Sequence, residues 1–94
     1  MTTHIEMTKL AVMLAKADIP FEIHTWAAGG EDCLQIASPS KENMKVDAIC
    51  HAFSYGGKAG LIEVLGSVNK DFPNDDVIGW LTAEEAFPYF KEVK

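Results

Sequence analysis

The sequence predicts an α+β fold, an antiparallel sheet of three to four strands with helices packed on one face, in the order α-β-β-β-α-β-α. Three observations carry this. Met7, Leu10, Met13, Leu14 and Ala17 recur at helical spacing. Two alternating, β-prone segments, Phe21-Glu22-Ile23-His24-Thr25-Trp26 and Cys33-Leu34-Gln35-Ile36-Ala37, flank the turn-forming Ala27-Ala28-Gly29-Gly30-Glu31. Near the end of the chain, Thr82-Ala83-Glu84-Glu85 reads as a capping box that opens a last helix.

Taken in order, the first helix spans about Thr3 to Ala17. Thr3 and Glu6 fit a capping box, and Lys9 and Lys16 fall between the apolar positions. Pro20 closes it, because the residue before a proline avoids helical angles. The hairpin that follows buries Phe21, Ile23, Leu34 and Ile36 on one face. Ser38 to Asn43 is a loop, and Val46 to Phe53 a third strand antiparallel to the second. Its apolar character on both faces gives it a central or covered position. Gly60 to Leu65 reads as a short buried helix, since Leu61, Ile62, Val64 and Leu65 are apolar nearly all round. Val68 to Asp76 is an acidic loop, and Val77 to Leu81 a short strand. The last helix buries Ala86, Phe87 and Phe90, and Pro88 kinks or ends it.

Ninety-four residues, 48% hydrophobic and 23% charged, make one domain over residues 1–94 with a core that needs no staples. No apolar run reaches the ~18–20 residues of a membrane span, and the start, Met1-Thr2-Thr3-His4-Ile5-Glu6, lacks the basic-then-apolar pattern of a signal peptide. Two cysteines in a chain of this size point to a cytoplasmic protein with reduced thiols; a disulfide would need Cys33 and Cys50 on neighbouring strands. The net charge is −6, and there is no arginine. Arginine is the preferred fork for phosphate and guanine edges, so this balance argues against direct nucleic-acid binding and suits a solvated acidic surface or a basic partner.

The strongest local motif is Tyr55-Gly56-Gly57-Lys58-Ala59-Gly60, set between a strand-like and a helix-like segment. Tyr55, Gly56, Gly57 and Lys58 form a candidate ligand cradle, with phosphate at the helix start and Lys58 as the cation. Ala59 follows Lys58 where a phosphate-binding P-loop requires Ser or Thr, and no dinucleotide fingerprint is present. A tight strand-to-helix connection accounts for the same glycines. His24, Cys33, Cys50 and His51 have no chelate spacing, so no metal site and no cofactor is assigned. No cysteine opens a helix or is otherwise marked as activated, and no catalytic residue is assigned. Asp75 and Asp76 lie in the acidic loop, and Glu84 and Glu85 in a first helical turn that favours acids.

Aromatic residues make better contact candidates. Trp26 ends a strand on the face opposite Phe21 and Ile23, and with His24 and Glu22 it forms an exposed mixed patch if that face is open. If a helix covers Trp26 instead, the patch disappears. Asp75 and Asp76 join Glu22, His24 and Trp26 as the expected interaction surface.

Phe53-Ser54-Tyr55-Gly56-Gly57, Gly60 to Gly66 and Val77 to Glu85 resemble segments of small uncharacterised proteins carried by prophages of Gram-positive bacteria. Those proteins also open with a helix and a strand similar to Phe21-Glu22-Ile23. The resemblance covers most of the chain and implies a structural pattern without catalytic residues. Pro88 departs from it, standing where a plain helix former is expected.

The functional expectation is a non-enzymatic cytoplasmic interaction protein with a protein partner, bound to neither nucleic acid nor membrane. A small-ligand or enzymatic domain centred on the turn at residues 55–60 is the alternative. A homodimer formed through a free strand edge is a third reading, set against a monomeric binder.

Overall fold

The computed structural model describes residues 4–28, 31–50, 60–66 and 77–93. Helix α1 spans Ile5–Lys16. Five strands follow, β1 Glu22–Ala28, β2 Glu31–Ser38, β3 Val46–Cys50, β4 Ile62–Gly66 and β5 Val77–Leu81. They form one antiparallel meander in the order β1-β2-β3-β4-β5. Helix α2, Ala83–Ala86, runs on into a 3-10 helix over Phe87–Val93. The fold is α+β as the pattern predicts, with five strands rather than three or four.

The difference lies at residues 60–65. This segment is not a helix. Ile62, Glu63, Val64 and Leu65 alternate between two faces, with Ile62 and Val64 fully buried and Leu65 exposed. Apolar residues on both faces mimic an all-round apolar helix, but a run this short with β-branched residues at alternate positions suits a strand. Gly60, at φ 77, precedes it in the left-handed region that favours glycine.

Helix α1 buries Met7, Leu10 and Leu14 on one stripe. Asp18, not Pro20, stops it. Asp18 takes the left-handed conformation at φ 57, its N–H donates to the Ala15 carbonyl, and the Ile19 N–H reaches back to the Leu14 carbonyl at 3.0 Å. These are the two bonds of a Schellman motif, with buried Ile19 closing over Leu14, and Pro20 merely follows. At the other end Thr3 lies outside the described residues. The N-cap is His4, which makes no side-chain cap bond; its carbonyl takes both the N–H and the hydroxyl of Thr8. The Glu6 carboxylate is used elsewhere, as the acceptor for the Ala83 N–H at 2.8 Å.

Strand register defines the core face. Ile23, Ile36, Ala48, Val64 and Ile78 form one row across all five strands. Met7, Leu10 and Leu14 of α1 and Ala83, Ala86 and Phe90 of the last helical segment pack on the same side. Ile36 is buried as expected, and Phe21 and Leu34 are half-buried against the core. Ile23 is 50% exposed. Helix α1 packs mainly over β2 and β3, and β1 is the edge strand of the described sheet. The Thr82–Glu85 capping box is present, the Glu85 N–H donating to Thr82 Oγ1 and the Thr82 N–H to Glu85 Oε1. Pro88 has no N–H for the next helical bond, and at Phe87 the α-helix tightens to 3-10. Among the described residues, no helix is long and apolar enough to cross a membrane.

Candidate interaction surface

The second face of the sheet carries the polar and aromatic residues of the strands. Alternation from the core row places Glu22, His24 and Trp26 of β1 there, beside Cys33, Gln35 and Ala37 of β2, Asp47 and Ile49 of β3, and Glu63 and Leu65 of β4. Among the described residues, no helix packs on this side. Exposure on this face is uneven: Trp26 is 44% exposed, Leu65 is exposed and Met44, from the loop before β3, reaches solvent, whereas Cys33, Ala37 and Asp47 are buried.

Two small polar clusters organise the face. At its edge, His24 Nε2 stands 3.4 Å from Glu22 Oε1, and the Lys41 N–H donates to the same oxygen at 2.8 Å. The Lys41 amide, then His24, hold the Glu22 carboxyl below its ordinary range, so it stays ionised. At the centre, Gln35 Nε2 donates to Asp47 Oδ2 at 2.8 Å. Asp47 is only 8% exposed. Burial pushes its carboxyl above the usual range; the Gln35 hydrogen bond opposes this and the Glu63 charge adds to it. The result is a mixed face in which Trp26, Ile49 and Leu65 are interleaved with acids.

The cysteines fall on opposite sides of the sheet. Cys50 stands opposite Leu34, and Cys33 opposite Trp26, so neighbouring strands carry two buried thiols out of step by one residue. Burial, with a smaller contribution from Cys33, raises the Cys50 thiol above its ordinary value, the reverse of what an activated nucleophile needs.

A cleft of about 340 Å³ is lined by His4, Thr25, Trp26, Cys33 and Leu34. Both ring nitrogens of His4 are buried with no hydrogen-bond partner among the described residues. A second, largely apolar cleft of about 370 Å³ lies along the outer side of α1, between Thr8, Lys9, Val12, Met13 and Glu84.

No family model, curated protein or solved structure matches this chain. The reading of its surface therefore rests on its own geometry.

Of the expected contact residues, Glu22, His24 and Trp26 are brought together on one face of β1, opposite the helices. Asp75 and Asp76, and the proposed cradle of Tyr55, Gly56, Gly57 and Lys58, lie outside the described residues, as does His51. Among the described residues, no three His, Cys, Asp or Glu side chains group as a metal site. Sequence reading missed Gln35, Asp47, Glu63 and Leu65. Asp47 carried a signal, a lone carboxylate inside the apolar strand Val46-Asp47-Ala48-Ile49-Cys50. Glu63 and Leu65 were hidden by the helical reading of their segment.

Proposed function

We propose that this protein is a non-enzymatic interaction module that binds another protein through the part of the second sheet face centred on Trp26. The observation that carries the reading is the half-exposed Trp26, aligned with His24 and Glu22 on the face away from the helices. Large aromatics of this kind dominate binding energy when a partner desolvates them. The net charge of −6 and the acids Glu22 and Glu63 on the same face favour a partner with a basic rim. Two buried thiols suit a reducing cytoplasm; that the module is carried on a mobile element is proposed from the sequence resemblance alone. The alternative ligand or enzyme reading centres on Tyr55, Gly56, Gly57 and Lys58, which lie outside the described residues.

The test is a tagged pull-down from host lysate with three baits, wild type, Trp26→Ala and Val12→Ala. Val12 is exposed on the helical side and serves as the control. A partner captured by wild type and Val12→Ala but depleted about tenfold or more by Trp26→Ala is the expected result, in line with an aromatic hot spot. Equal capture by all three baits, or none above background, overturns the reading.

A further inference from the structure

We infer that Met44 is a modification site, a methionine that hydrogen peroxide converts to the sulfoxide and whose new oxygen is received by the Gln35 side chain. The Gln35 amide nitrogen carries two N–H groups. Nε2 donates to Asp47 Oδ2 at 2.8 Å, and it also donates to Met44 Sδ at 3.8 Å. One amide thus joins a carboxyl of β3 to the thioether of the loop that precedes it. A thioether is a weak acceptor, and oxidation makes it polar. The donor for the oxidised form is therefore already in place.

Access selects this residue. Met44 is 43% exposed, whereas Met7 is fully buried and Met13 is half-buried against the core. Thioether oxidation follows exposure. Thiolates ordinarily compete for peroxide. Here Cys33 and Cys50 are both buried, and burial raises the Cys50 thiol, which keeps it protonated at neutral pH. Among the described residues, Met44 is the most exposed of the sulfur-bearing side chains.

The chemistry balances with peroxide as the sole co-reactant. A sulfur lone pair attacks one peroxide oxygen, and the O–O bond breaks. That oxygen stays on sulfur, and the departing hydroxide takes up its proton to form water. Sulfur loses two electrons and peroxide gains two. A thiol-dependent sulfoxide reductase reverses the change, with two thiols oxidised to a disulfide and the oxygen released as water. The surroundings fix where the product settles. Gln35 lies in mid-sheet, opposite His24 of β1 and Ile49 of β3. The loop is fastened to the same strands, the Lys45 N–H donating to the Ser38 carbonyl and the Lys41 N–H to Glu22 Oε1, each at 2.8 Å. Oxidation turns a weak contact between loop and sheet into a hydrogen bond, and the Gln35 amide is then held at both ends, on Met44 and on Asp47.

Limited treatment of the full chain with hydrogen peroxide, followed by peptide mass spectrometry, tests access. Met44 is expected to gain oxygen about tenfold faster than Met7 or Met13, with both cysteines still thiols. Thermal melts of wild type and Gln35→Leu, each reduced and each purified as the Met44 sulfoxide, test the tie. The lost Asp47 contact is common to both forms of the variant and cancels in this cycle. The midpoint change on oxidation is expected to be about 4–8 °C more favourable in wild type. A second measurement needs no variant: the side-chain amide resonances of Gln35 are expected to shift when wild type is oxidised. Met7, Met13 or either cysteine reacting as fast as Met44 overturns the inference. So does an equal midpoint change in the two proteins, or a Gln35 amide signal that oxidation leaves in place. No readout involves a partner, so the inference stands or falls apart from the Trp26 pull-down.

Discussion

Replacing Glu6 by alanine tests how the first helix is tied to the last. Glu6 has two partners. Its Oε2 lies 3.4 Å from the Lys9 ammonium, and the Lys9 side chain is 55% exposed against 18% for Glu6. Its Oε1 accepts the Ala83 N–H at 2.8 Å, 77 residues away in sequence. An exposed ion pair of this kind contributes about 0.5 kcal/mol or less. The second contact weighs more. Ala83 is fully buried and stands in the first turn of α2, where N–H groups have no partner within the helix. Truncating Glu6 leaves that donor unsatisfied and removes a charge-assisted cap, a cost of about 1–2 kcal/mol. For a chain of this length the melting temperature then falls by about 4–16 °C. Thermal unfolding at neutral pH of wild type, Glu6→Ala, Glu6→Gln and Lys9→Ala separates the two contacts. Glu6→Ala is expected to lose most, Glu6→Gln less because an acceptor remains, and Lys9→Ala almost nothing. If Glu6→Ala and Lys9→Ala lower the midpoint equally, the cap contributes nothing and the reasoning fails.

Two further predictions concern the sheet. Burial raises the Asp47 carboxyl above its ordinary value, so the folded state holds this proton more tightly than the unfolded chain, and the associated stability is lost as pH rises from the unfolded value through the folded one. Asp47→Asn should therefore melt above wild type at pH 7 and level with it at pH 3; the same gap at both pH values contradicts the assignment. At Trp80, the left-handed backbone of a bulky residue is strained and its exposed ring has little packing to lose. Trp80→Asn, which tolerates that conformation, should stabilise the fold by about 1 kcal/mol in a denaturant titration; destabilisation shows that the ring contributes more than the strain costs.

Much of the fold was legible because local patterns and tertiary packing agree. The spacing of Met7, Leu10 and Leu14, the alternation in β1 and β2, and the Thr82–Glu85 capping box all appear as read. The helical reading of Gly60 to Leu65 fails because Leu65 shares its face with Glu63, so apolar residues fall on both sides of the strand and blur its period of two. The end of α1 was placed on Pro20 because Asp18 in the left-handed region leaves a weaker sequence mark than glycine would. On the candidate surface, alternation alone set Trp26, His24 and Glu22 on the face opposite Phe21. Whether that face is open depends on where the helices settle, which no local pattern encodes. The Glu6–Ala83 bond, with its 77-residue separation, is invisible for the same reason.

Where the helices settle follows from widths. Five strands spaced ~4.8 Å apart make a sheet about 24 Å wide. A helix packed on it covers about 10 Å, so two helical segments side by side cover about four strands. Here α1 lies over β2 and β3, while α2 lies against β4 and β5 and the 3-10 segment reaches β3. The Glu6–Ala83 bond locks the two segments together, so neither can slide toward the near edge without breaking it. The strand left over is β1. That is why Ile23, on the core face and in the same row as fully buried Ile36, is half exposed. Its exposure follows from how far two helical segments reach across five strands.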